Sequence, residues 1–131
     1  MSTRAGNARV HAISGNGAGG VVAGLHAWID GHDPHVQAAV WLLLAHEVWP
    51  RRADFLRACV NRSPDGVWWI DFRAARTAFD NGAFDTASTT ERALLDLAIE
   101  LGTDRFRFRA MGPGNARAVA TAVAHAVGAD R

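Results

Sequence analysis

Two imidazoles and two carboxylates fall within one short stretch, Asp30-x-His32-Asp33-x-His35. That mixture of nitrogen and oxygen donors suits zinc or a harder divalent cation, and the chemistry it would support is metal-assisted hydrolysis. A joint between two helices would let the side chains converge. Each residue also has a simpler role. Asp33 stands before Pro34 and can cap the helix that Pro34 opens, Asp30 closes the preceding helix, and His35 lies in a first turn. His11, His26 or His125 could complete a ligand set only if the fold brought them near. His46-Glu47 begins like a metalloprotease helix, but Pro50 occupies the position of the second histidine.

A second constellation suits anions. Arg105, Arg107 and Arg109 alternate with Phe106 and Phe108, and Arg117 follows the Met111–Asn115 turn. Guanidiniums on one strand face repel one another unless carboxylates, phosphates or water offset them. A nucleic-acid backbone would serve, and Arg73 and Arg76 could extend the surface. A third pattern, Gly15-x-Gly17-x-x-Gly20, matches the dinucleotide fingerprint between a strand-like run, Val10–Ile13, and a helix. The acid-tipped second strand expected about 20 residues later is replaced by the helix after Asp33. A tight loop is therefore the simpler reading of this candidate phosphate loop, and no cofactor is implied.

Trp68-Trp69 must point to opposite sides of a strand, and with Trp28, Trp41 and Trp49 they make a heavy tryptophan load for a short chain. Exposed tryptophan is common at interfaces, so Trp68 and Trp69 are the candidate contacts with a partner protein or a second copy. Cys59 lies on an apolar helical face and reads as a small buried hydrophobe.

Composition removes several enzyme classes. All fourteen basic residues are arginine, against thirteen acidic ones, and the net charge is +1. Without lysine there is no Schiff-base or Walker chemistry. Without tyrosine there is no phenolic acid, and one cysteine forms neither an internal disulfide nor a multi-cysteine metal site. Near-neutral charge disfavours a dedicated nucleic-acid binder while leaving room for a local arginine patch. Residues 1–9 lack a signal-peptide core, and Ala38–Ala45 is too short to span a bilayer, so the expected setting is cytoplasmic and away from membranes.

The elements that must position these residues follow from periodicity and punctuation. Expected are a flexible tail over 1–9 and one domain over 10–131, with helices over 20–29, 34–49, 51–60, 72–79, 89–102 and 116–127. Ala38–Ala45, apolar on every face, predicts a central helix buried on most sides. Asp71 should cap the helix at Phe72, and Ser88-Thr89-Thr90-Glu91 is a capping box whose helix should bury Leu94, Leu97, Ala98 and Leu101. Gly24 permits close packing at the cost of helix propensity. Val67–Ile70 and Arg105–Arg109 should be paired strands, and Val119, Val123 and Val127 should be buried. The fold class is α+β, a helix-dominated small domain with two or three short strands. The favoured function is a small non-catalytic interaction or regulatory protein. The alternatives are nucleic-acid or phosphate binding through the arginine strand, and a metal-dependent hydrolase with an Asp/His loop site.

Overall fold

Pro34 and Ser88 each start a helix, and the two helices they start form the centre of the molecule. The computed structural model describes residues 17–130. The expected tail, the Val10–Ile13 strand and Gly15 lie outside them. Six α-helices are present among the described residues: α1 (Gly17–Ile29), α2 (Pro34–His46), α3 (Ala53–Cys59), α4 (Phe72–Asp80), α5 (Thr89–Gly102) and α6 (Ala116–Ala126). Two short strands, β1 (Val60–Arg62) and β2 (Trp68–Ile70), make one antiparallel hairpin. The protein is thus a mostly helical α+β domain.

Helices α2 and α5 pack along each other, α1 crosses β2, and α3 and α4 close the remaining side. From α1 the core takes Val21, Leu25 and Ile29, from α2 Ala39, Val40 and Leu43, and from α5 Leu95, Ala98 and Ile99. Trp49, Phe55 and Phe84 form an aromatic group at one end, with ring centroids 5.4–6.1 Å apart. Beside it, Arg52 clamps Asp54 through two hydrogen bonds of 3.0 and 2.7 Å and lies over the Trp49 ring at 5.0 Å. The hydrogen bonds from that guanidinium hold the Asp54 carboxyl below the usual carboxylate range.

Two of the three expected caps are formed. The Ala74 N–H donates to Asp71 Oδ1 at 2.9 Å. At Ser88 the box is reciprocal: the Glu91 N–H donates to Ser88 Oγ (3.1 Å) and the Ser88 N–H donates to Glu91 Oε1 (2.9 Å). Ser88→Ala removes one acceptor and is expected to cost about 1 kcal/mol. The reading would be a lower urea midpoint at unchanged m-value. An unchanged midpoint would show that the box contributes nothing. Asp33, in contrast, makes no side-chain cap, and only its carbonyl receives the first helical N–H groups.

Several expectations are corrected. Arg105–Arg109 is not a strand. Asp104 and Arg107 take left-handed φ values of 55° and 50°, and Phe108–Met111 winds into a 3-10 turn. Two left-handed residues within four break any extended run. The partner of β2 is instead β1, with Val60 opposite Ile70, Asn61 opposite Trp69 and Arg62 opposite Trp68. Closing the short loop between adjacent segments costs less chain entropy than bringing in a distant one. Val60 therefore leaves the helix and starts the hairpin.

Helix α2 ends at His46, before the expected Trp49, because Glu47 adopts φ 66°. Residues Trp49–Arg51 form a separate 3-10 turn, and α3 begins only at Ala53. Nor is α2 enclosed on most sides, since it buries one face and leaves Trp41 53% exposed. On α5 the buried face is rotated to Leu95, Ala98 and Ile99, leaving Leu97 exposed. Gly17 and Gly20 lie within α1, so the chain is already helical where a phosphate loop was expected. Finally, α6 buries none of its 11 residues.

Candidate functional site

The largest departure from expectation, the C-terminal arm of residues 104–130, also carries the candidate site. Past Thr103, which caps α5, the left-handed turns at Asp104, Arg107 and Gly112 steer the chain away from the core. Phe106 and Phe108, which alternate with the arginines, meet each other edge-on at 6.0 Å, and Phe106 remains 49% exposed. Two 3-10 turns, Phe108–Met111 and Pro113–Asn115, lead into α6. The main contact of α6 is with the second of these turns.

This geometry creates a groove of about 530 Å³ beside the N-terminal half of α6, walled by Phe108, Met111, Pro113, Val119 and Ala120, with Arg109 at its edge. Its lining is apolar apart from Arg109. In the C-terminal half, Val123 is 50% exposed and Val127 69% exposed. Burying a side chain of this size fully is worth about 1.5–3 kcal/mol, so this face carries apolar surface that the described core leaves uncovered.

The arginines expected to bind anions are gathered on the same arm, on turns and a helix in place of a strand. Arg105, Arg107, Arg109 and Arg117 are all exposed. Arg105 lies 3.7 Å from Glu100 Oε1, and the other three have no ion pair among the described residues. Arg76 does not join them, because it is tied to Asp80, Asp96 and Glu100 at 3.2, 2.6 and 2.5 Å. Arg73 is exposed on α4.

The Asp30–His35 residues divide. Asp33 and His35 line a cavity of about 290 Å³ together with Pro34, Asp104, Phe108 and Arg109. The cavity therefore brings part of each expected cluster to one place. His35 lies with Nδ1 3.2 Å from the Leu101 carbonyl and Nε2 3.7 Å from Asp33 Oδ2, which ties the loop to the end of α5. His32 meets Trp28 at a tilt, ring centroids 4.9 Å apart, and Asp30 borders a different pocket beside Trp41. Among the described residues no three His, Cys, Asp or Glu side chains come together to hold a metal ion. His11 lies outside them.

The tryptophans are sorted differently from expectation. Trp68 is only 8% exposed, seated against α1, and is a core residue in this fold. Trp69 is half-buried opposite Asn61. The most exposed tryptophan is Trp41, and the polar Gln37 four residues before it was the one sequence sign that this side of α2 is wet. Cys59 is buried, with Sγ donating to the Phe55 carbonyl at 3.2 Å. No helix among the described residues is long and apolar enough to cross a membrane. Comparison of the chain with family models, with curated proteins and with solved structures finds no match.

Proposed function

We propose that this chain is a small non-catalytic interaction protein whose contact surface is the C-terminal arm, rather than the Trp68–Trp69 strand. One observation carries the reading: α6 is regular and amphipathic, yet none of its residues is buried. A short helix gains most of its stability from packing its apolar face, so a helix that lacks such packing among the described residues supports a contact beyond them. Immobilised full-length protein is expected to capture a discrete partner set that Val123→Asp/Val127→Asp protein does not, with unchanged circular dichroism. Equal capture by both proteins would sink the reading.

A second reading, contact with phosphates or a nucleic-acid backbone, is favoured by the exposure of Arg107, Arg109 and Arg117 without ion-pair partners among the described residues. Its mark is retention on heparin or duplex DNA at low salt that Arg107→Ala/Arg109→Ala abolishes. Absent or unchanged retention removes it. The Asp30–His35 hydrolase reading loses its support with the dispersal of those four side chains.

A further inference from the structure

The cavity between the start of α2 and the arm carries charges of both signs that do not neutralise one another. Asp33, His35 and Asp104 line it together with Arg109, and Pro34 and Phe108 give it apolar walls. Arg109 nevertheless forms no ion pair with Asp33, Asp104 or any other acid among the described residues. From this we propose that the cavity binds a small zwitterion, an α-amino acid with an apolar side chain. Its ammonium group goes to Asp33 and Asp104, its carboxylate to the Arg109 guanidinium, and its side chain to Phe108 and Pro34.

Charge and size select that ligand class. A plain anion would suit Arg109 but would share the cavity with two carboxylates. A plain cation would suit the carboxylates and leave the guanidinium unused. A metal ion has no ligand set, because no three His, Cys, Asp or Glu side chains come together among the described residues. A molecule that carries both charges answers both walls, and a guanidinium is the side chain best shaped to take a carboxylate through two parallel hydrogen bonds. At about 290 Å³ the cavity lies at the small end of ligand pockets, which run from about 300 to 1,000 Å³. That suits one small molecule with a short apolar side chain.

The acceptor wall is built before any ligand arrives. The Leu101 carbonyl near the end of α5 receives the Asp104 N–H at 3.0 Å and has His35 Nδ1 at 3.2 Å. One oxygen atom therefore holds both residues. A carbonyl only accepts, so Nδ1 carries the proton, and in the neutral ring Nε2 is left as an acceptor beside Asp33, 3.7 Å from Oδ2. Fixing the acceptors in advance lowers the ordering cost of binding. Arg109, by contrast, comes from the exposed arm, so the ligand would tie the arm to the core. This site is separate from the apolar face of α6 and stands whether or not that face contacts a protein.

Isothermal titration calorimetry of the full chain with leucine and with phenylalanine tests the proposal. Dissociation constants between about 1 μM and about 1 mM are expected. Two analogues of leucine separate the charges. Leucinamide keeps the ammonium group without the carboxylate, N-acetyl-leucine keeps the carboxylate without the ammonium group, and each should bind about 10-fold more weakly or worse. Arg109→Ala should weaken leucine binding by the same factor and erase its preference over leucinamide. Asp33→Asn/Asp104→Asn should erase the preference over N-acetyl-leucine.

These changes should spare the fold, which circular dichroism checks. Arg109 is exposed, the Asp33 side chain makes no cap, and asparagine tolerates the left-handed conformation that Asp104 adopts. Absence of binding by both amino acids at about 10 mM, far above the expected range, would overturn the proposal. So would equal binding of leucine and N-acetyl-leucine, or leucine binding indifferent to the substitutions. Leucinamide binding as tightly as leucine would overturn the zwitterion and leave a site for organic cations.

Discussion

Trp49→Ala is expected to destabilise the protein by about 3–5 kcal/mol, a large fraction of the total stability of an ordinary domain. Trp49 is fully buried at the 3-10 turn between α2 and α3. Its ring meets Phe84 edge-on at 5.4 Å and Phe55 at 5.7 Å, and the Arg52 guanidinium lies over it at 5.0 Å. The indole N–H donates to the Glu91 carbonyl at 3.0 Å, which joins this turn to the start of α5.

Alanine would therefore remove the largest fully buried side chain and leave Phe55 and Phe84 facing a void. Trp49→Phe keeps an aromatic ring and loses volume and the hydrogen bond, for a smaller loss of about 1–3 kcal/mol. Urea unfolding followed by far-ultraviolet circular dichroism measures both without depending on tryptophan emission. A loss below about 1 kcal/mol for the alanine variant would show that Trp49 is not the anchor of this end of the core.

Gly24→Ala separates local propensity from packing by the sign of its effect. In an isolated helix the change should stabilise by about 1 kcal/mol, because glycine is a poor helix former. In this fold the added methyl would lie 2.0 Å from Trp68 Cδ1 and 2.4 Å from Cγ. The Trp68 ring has little room to retreat, since it is buried on β2 with the Arg62 guanidinium 5.3 Å from its centroid. Helix α1 must then lift from the hairpin. Overpacking of this kind costs about 1–3 kcal/mol and sometimes more, so the net expectation is destabilisation. Adding Trp68→Leu to Gly24→Ala should cost less than the sum of the single changes, because the smaller side chain makes room for the methyl. A more stable Gly24→Ala protein would overturn the account.

Gly24 is also where sequence and structure agree in an informative way. A glycine inside an apolar helical stripe signals close approach, and Trp68 is what approaches. The same close fit recurs at Gly102, where a methyl would lie 2.4 Å from the Phe72 ring. Legible too were the Ser88 box, the Asp71 cap and the Pro34 helix start, because each is satisfied by atoms within a few residues of itself. The hairpin was half legible. Trp68–Ile70 has β-rich side chains, but the alternation at Arg105–Arg109 looked equally strand-like. Alternation over five residues says which sides would differ if the chain were extended, and says nothing about whether a partner is available. Val60–Arg62 and Trp68–Ile70 paired across a short loop, and the arginine segment was left to turn.

The candidate site shows the same limit. The residues of both the Asp30–His35 and arginine clusters could be named from the sequence, but their grouping could not. Only the tertiary structure separates His32 from His35, places Asp33 and Arg109 on one cavity, and removes Trp68 from the surface. By itself, the sequence determined where the helices at Pro34, Phe72 and Thr89 begin, which faces are apolar, and which chemistries are excluded by the absence of lysine and tyrosine and the single cysteine. What the tertiary structure decided is where those apolar faces are spent. The stripe of Val119, Val123 and Val127 would read the same whether its cover came from its own core or from another chain. Periodicity records only that a face is apolar. The free energy of burying it is realised against whichever surface comes within reach, and here the core closes over Trp49 and Leu95 without using α6.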